Sequence, residues 1–278
     1  MKERTLYVTD MDGTLLNNGS FVTEYSSHII SQLTAEGALI TVATARTPAT
    51  VVPLMDDTTT SVPYVVMTGA AMFDRKSMTY INRQIIPNDD CNLLNEIFQS
   101  NNVNPFIYNF IDDSKLLVYH HPSMTPQEQD FYDERCNLPL KEFTFQPFSD
   151  PNAEKILYFA VGAKEAIRKI YAEITATGRF AASCYPDIFA AGIYLLEVFA
   201  IGVSKANAIL KLKEQLGATR LVAFGDNFND IPMLEISDLA VAVSNAQPQV
   251  KDAADIIIGP NYDNSVADFI LSDFHSQP

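Results

Sequence analysis

Apolar residues along the chain fall into short unbroken runs at its two ends and into a mixed texture in its middle. Thr5–Thr9 is a β-rich run that stops at Asp10. The run Ala38–Ala43 follows a helix-like stretch over Ser26–Glu36, and together these give a βαβ signal. Tyr64–Met67 adds a third run, and Leu221–Phe224, Leu239–Val243 and Ile256–Ile258 add three late ones. Continuous apolarity predicts strands buried on both faces, as in a parallel sheet.

Between these sets the pattern predicts helices near Asp90–Gln99, Pro126–Arg135 and Lys164–Thr175. Strands are expected near Pro105–Phe110, Leu116–Tyr119 and Lys155–Val161, with more between Arg179 and Val198. Adjacent strands mixed with helices read as an α+β unit inserted into an α/β host. The expected fold is therefore a Rossmann-like parallel-sheet core over 1–84 and 190–278, with an inserted unit over 85–189, its edges near Ile85 and Phe189.

Composition narrows the function. The 278 residues are 47% hydrophobic and 19% charged, a globular balance. The runs Ile193–Leu196 and Val198–Ile201 are broken by Glu197 and Gly202 and are too short for a membrane span. The apolar stretch after Lys2, Glu3 and Arg4 ends at Asp10, too soon for a signal-peptide core, so a cytoplasmic location is expected. Cys91, Cys136 and Cys184 are too dispersed for a disulfide framework or a CxxC metal site. A net charge of 19 minus 34, or -15, argues against a nucleic-acid partner. An acidic protein acting on an anion must build local positive potential from a metal ion, a lysine or helix N-termini.

Asp10-Met11-Asp12-Gly13-Thr14-Leu15 directly follows the first strand, where open parallel sheets place ligands. Two carboxylates one residue apart can converge on one hard cation. Gly13 permits a sharp turn, and Thr14 can hydrogen-bond the acidic loop. The same letters also describe a plain Asp/Gly turn before a helix. Further along stand Ala43-Thr44-Ala45-Arg46 at the second strand's end, Lys205 near a helix start, and Gly225-Asp226-Asn227-Phe228-Asn229-Asp230.

These motifs, in this order, resemble those of the haloacid dehalogenase-like superfamily, and the insert resembles the α/β cap of its Cof-type branch. The resemblance implies a magnesium-dependent phosphatase of small phosphorylated metabolites, sugar phosphates among them. It assigns Asp10 as nucleophile and Asp12 as general acid and base. It assigns the metal to Asp10, Asp226 and the Asp12 backbone carbonyl, and phosphate binding to Thr44, Lys205 and Asn229, with Asp230 in support. Departures from the usual pattern are Ala45 after Thr44, Thr68 where Asn commonly precedes Gly69-Ala70, and Ala206 after Lys205. A phosphotransferase or phosphomutase, or a silent metabolite-binding protein on the same fold, remains an alternative.

Other clusters read as structural. His28, His120, His121 and His275 form no ligating pattern. Phe106, Tyr108, Phe110, Phe143 and Phe145 alternate as strand core positions do. The pairs Asp56-Asp57, Asp89-Asp90 and Asp112-Asp113 read as solvated loops.

Overall fold

The computed structural model describes residues 4–148, 150, 153–187 and 190–277. Lys2, Glu3 and the expected insert edge at Phe189 lie outside the described residues. The chain divides into two compact units, Met1–Met78 with Ser204–Pro278, and Thr79–Val203.

The first unit is an α/β layer. Five parallel strands lie in the order Ile256–Ile258, Leu239–Val243, Arg220–Gly225, Thr5–Thr9 and Leu39–Val42. A parallel bridge from Ala43 to Val65 continues the sheet to Tyr64–Val66. Leu6, Tyr7 and Val8 are fully buried, as a central parallel strand requires. The exception to burial on both faces is the edge strand, where Ile256 and Ile257 are 38% and 54% exposed. Strand Leu39–Val42 pairs on one side of Thr5–Thr9 and Arg220–Gly225 on the other. The chain order thus reverses at the first strand, and Asp10 sits at its carboxyl end, where this topology leaves a crevice.

Helices form where their caps allow. Thr23 accepts the Ser26 N–H at 3.1 Å and starts Glu24–Ala35. Ser204 accepts the Asn207 N–H at 3.0 Å and starts Lys205–Leu216, which ends at left-handed Gly217.

In the second unit a six-stranded sheet runs Phe180–Pro186, Ile193–Ala200, Lys155–Ala163, Phe106–Phe110, Leu116–Tyr119 and Lys141–Thr144. All pairs are antiparallel except the last. Adjacent residues of a strand face opposite ways. Tyr158 accordingly stacks on Phe98 of helix Asn88–Ser100, while Phe159 stacks on Phe131 of helix Pro126–Asp133. The unit reaches residue 203 because Ile193–Ala200 pairs on both sides within this sheet, whereas the sequence pattern placed the edge at 189.

Two local readings are corrected. Phe145 lies past the strand Lys141–Thr144 and is 42% exposed, so it is not a strand core position. Asp89 and Asp90 are in the first turn of a helix, and Asp90 is buried and ion-paired to Arg179. His120 is fully buried, with its two ring nitrogens against the carbonyls of His121 and Asn104, a structural role.

Lys141 is 6% exposed and lies over the rings of Phe143 and Tyr108, at 5.4 and 6.0 Å from their centroids. Burial, then repulsion from Arg135, pushes its pKa down to about 8. A base whose folded pKa is depressed weakens the fold below that value, and the penalty fades as pH rises from 8 towards the free lysine value. Lys141→Met should therefore raise Tm at pH 7 by several degrees, with a smaller gain near pH 10. Thermal melts at the two pH values test this, and equal gains at both would contradict it.

Candidate active site

The site is built where three strands of the first unit end. Asp10 follows Thr9, Thr44 follows the strand Leu39–Val42, and Asp226 follows Gly225. Asp10 is 6% exposed and its backbone N–H donates to the Phe224 carbonyl at 2.9 Å, which fixes it against the neighbouring strand. Lys205, the first residue of its helix, is 2% exposed and turned inward. Its ammonium donates to Asp10 Oδ1 at 2.5 Å and Asp230 Oδ1 at 2.7 Å. The other oxygen of Asp230 accepts the Asp226 and Asn227 N–H groups at 3.0 and 3.1 Å. Asp230 therefore holds both Lys205 and the turn that carries Asp226.

Gly13 allows the opposite side of the cluster to close. Its φ is +79°, and a Cβ there would lie 2.5 Å from Asp226 Oδ2. Thr14 Oγ1 donates to Asp226 Oδ1 at 2.9 Å. Asn245 Nδ2 donates to the Gly13 carbonyl at 2.8 Å, and Asn261 donates its side-chain N–H to the Leu16 carbonyl at 2.8 Å. No sequence pattern points to these two asparagines, because they support the motif loop from more than two hundred residues away.

Asp12 points away from this cluster. Its carboxylate is bound in both oxygens by Arg46, with Nε at 2.7 Å from Oδ2 and Nη2 at 2.6 Å from Oδ1. Half of the Asp12 side chain, 53%, stays exposed. Arg46 is a residue to which the sequence reading gave no role, although it lies two positions after Thr44. Thr44 is not a helix N-cap, since Thr47 occupies the N-cap position of the helix Pro48–Leu54 and Thr44 Oγ1 accepts the Arg46 N–H at 3.2 Å. Thr44 itself is 1% exposed. Asn229 is exposed in the turn Phe228–Asp230.

Carboxylate oxygens of Asp10, Asp226 and Asp230 all lie within 4.8 Å of one another. Three buried or half-buried carboxylates face one lysine, so the cluster is short of positive charge. The Asp10 carboxyl is accordingly pushed well above the usual carboxylate range, by burial first and then by Asp230. Asp226 is pushed up to about 6, mainly by burial. Burial works against the Lys205 ammonium, but Asp10 and Asp230 more than offset it and hold its pKa above the ordinary lysine value. An oxygen-only donor set with excess negative charge suits a hard dication such as Mg2+.

Comparison with known proteins identifies the family. A model of the haloacid dehalogenase-like hydrolases matches residues 7–270. The chain belongs to that family. It is 26% identical over 264 residues to the 5-amino-6-(5-phospho-D-ribitylamino)uracil phosphatase YcsE of Bacillus subtilis, covering 94% of this chain and 92% of the relative. It is 25% identical over 282 residues to the pyridoxal phosphate phosphatase YbhA of Escherichia coli, covering 95% and 96%. A haloacid dehalogenase-like hydrolase of Bacteroides thetaiotaomicron shares the fold, with TM-score 0.77, 23% identity, and 98% and 100% of the two chains covered. The matched family is one of hydrolases, and the relatives YcsE and YbhA both carry phosphatase names. Among the described residues no helix is long and apolar enough to cross a membrane.

Proposed function

We propose that the protein hydrolyses small phosphate monoesters, sugar phosphates among them, through a phosphoryl group carried on Asp10, with Mg2+ as cofactor. The observation that carries this reading is the buried Lys205 ammonium held between Asp10 and Asp230, which places a fixed positive charge beside a carboxylate at the sheet's carboxyl edge. The names of YcsE and YbhA point the same way, since each acts on a small phosphorylated metabolite.

Lys205 engages one oxygen of Asp10 and leaves the other to attack phosphorus. Lys205 and the Thr44 hydroxyl then hold the phosphoryl oxygens, and Asn229 is free to approach from the exposed turn. Asp12 must leave Arg46 before it can protonate the leaving alkoxide, and afterwards it takes a proton from the attacking water. The carboxylates of Asp10 and Asp226, with the Asp12 carbonyl, would hold the metal. When bound, that ion supplies the charge neutralisation that lets an anionic nucleophile meet an anionic ester. Splitting the hydrolysis into two displacements on Asp10 is covalent catalysis. The second unit is assigned the substrate-specificity role, and a cytoplasmic location is part of the same reading.

Removal of the metal tests the cofactor. Exhaustive chelation should bring turnover to background, and Mg2+ should restore it while raising Tm, by about 2.7 kcal/mol of stabilisation at a hundredfold excess over Kd. Turnover that persists in chelator would remove magnesium from the account.

A further inference from the structure

The turn after strand Tyr64–Val66 carries three successive left-handed residues. Met67, Thr68 and Gly69 have φ of 51°, 58° and 93°. Glycine adopts such values freely, but a non-glycine residue seldom does, and a β-branched threonine there is an outlier. Such strain persists only where the surroundings over-determine it. Thr68 carries a second unmet cost, since its hydroxyl oxygen is buried with no hydrogen-bond partner among the described residues.

The surroundings of this turn lead to the phosphate-binding residues from two sides. On one side the Thr68 N–H donates to the Thr44 carbonyl and the Met67 N–H to the Arg46 carbonyl, both at 3.0 Å. On the other side Gly69 lies directly against the backbone of Ser204: a Cβ at Gly69 would fall 2.7 Å from the Ser204 carbonyl carbon and 3.1 Å from Ala208 Cβ. Ser204 is the cap of the helix whose first residue is Lys205. One three-residue turn therefore spans the gap between the loop of Thr44 and the helix start of Lys205.

We propose that the Met67–Gly69 turn is a positioning element that sets the spacing of Thr44 and Lys205, and that the left-handed backbone of Thr68 is what holds that spacing. The inference rests on the reading that Thr44 and Lys205 grip the phosphoryl group. Thr68 itself is a positioning residue that acts through its neighbours. A relaxed turn would cost the fold less but would let the two gripping groups drift, and a full ångström of misplacement costs a reaction about a hundredfold.

The test uses the full chain carrying Thr68→Gly, Thr68→Asn or Gly69→Ala. For each, Tm, kcat/KM on two phosphate esters with different alcohols, and competitive inhibition by orthovanadate are measured. Thr68→Gly removes the strain but also the side chain that narrows the backbone to one conformation, so Tm should hold or rise while the turn loses its fixed geometry. On both esters kcat/KM should then fall roughly tenfold, and vanadate inhibition should weaken in parallel. Asparagine tolerates the left-handed conformation, so Thr68→Asn should keep wild-type kcat/KM. Gly69→Ala presses on Ser204 and should lose more activity than Thr68→Gly; should it fail to fold, Thr68→Gly decides. Unchanged kcat/KM and vanadate inhibition in Thr68→Gly would overturn the proposal, as would a loss of activity that merely tracks a fall in Tm. Failure of the underlying reading shows elsewhere: the wild-type chain would then neither turn over a phosphate ester nor bind vanadate.

Discussion

Asp10→Asn should lower turnover by at least about 10^4-fold, because the substitution removes the only carboxylate oxygen placed to attack phosphorus in this account. The protein should remain folded. Asparagine has the same shape, Lys205 keeps its 2.7 Å bond to Asp230, and one charge leaves a crowded acidic cluster. Because burial and Asp230 push the Asp10 carboxyl up, its ionised form weakens the fold, so in chelator the variant should melt no lower than the wild type. Steady-state assays and melts in the same buffer check both halves. Near-wild-type turnover, or loss of activity through unfolding, would argue against Asp10 as nucleophile.

The second large effect belongs to Lys205, which is 2% exposed and neutralises two carboxylates. Lys205→Met should destabilise the protein by about 3–5 kcal/mol, since removing one partner of a buried pair leaves the other charge uncompensated. Because the phosphoryl group is common to every ester, kcat/KM should fall by a similar factor on all of them, on the order of a hundredfold or more. Mg2+ should recover part of the lost Tm, because it brings positive charge back to Asp10 and Asp226, but not the lost kcat/KM. Melts with and without Mg2+, paired with kcat/KM on several esters, test the assignment. Losses confined to one ester would place Lys205 on the leaving-group side instead.

The elements on which the site stands were legible in the sequence because each is local. A run such as Thr5–Thr9 is β-rich around an apolar centre, Leu6-Tyr7-Val8, and its chemistry begins at the next residue, so strand and motif identify one another. The same holds for Arg220–Gly225 before Asp226, and for the helix start at Lys205. What the pattern left open depends on partners far along the chain. Ile193–Ala200 is apolar enough to suit either sheet, and only its pairing with Lys155–Ala163 and Phe180–Pro186 assigns it to the second unit. Ile256–Ile258 reads like a central strand but has a neighbour on one side alone, which leaves it exposed. Arg46 was visible as a letter, yet its bond to Asp12 depends on a side-chain direction that no periodicity encodes. The strained backbone of Thr68 is equally silent, since threonine gives no sign of a left-handed turn.

The most direct test of the account is to identify the phosphorylated residue. The wild-type chain, quenched with acid during turnover of a phosphate ester with Mg2+ and then treated with borohydride, should contain homoserine at position 10, because hydride reduces an acyl phosphate but leaves a free carboxylate untouched. Peptide mass spectrometry reads the change at that position. Homoserine at position 10 in the wild type and its absence in Asp10→Asn is the result the account predicts. An unmodified Asp10 in a sample that carries phosphate on another side chain would contradict it.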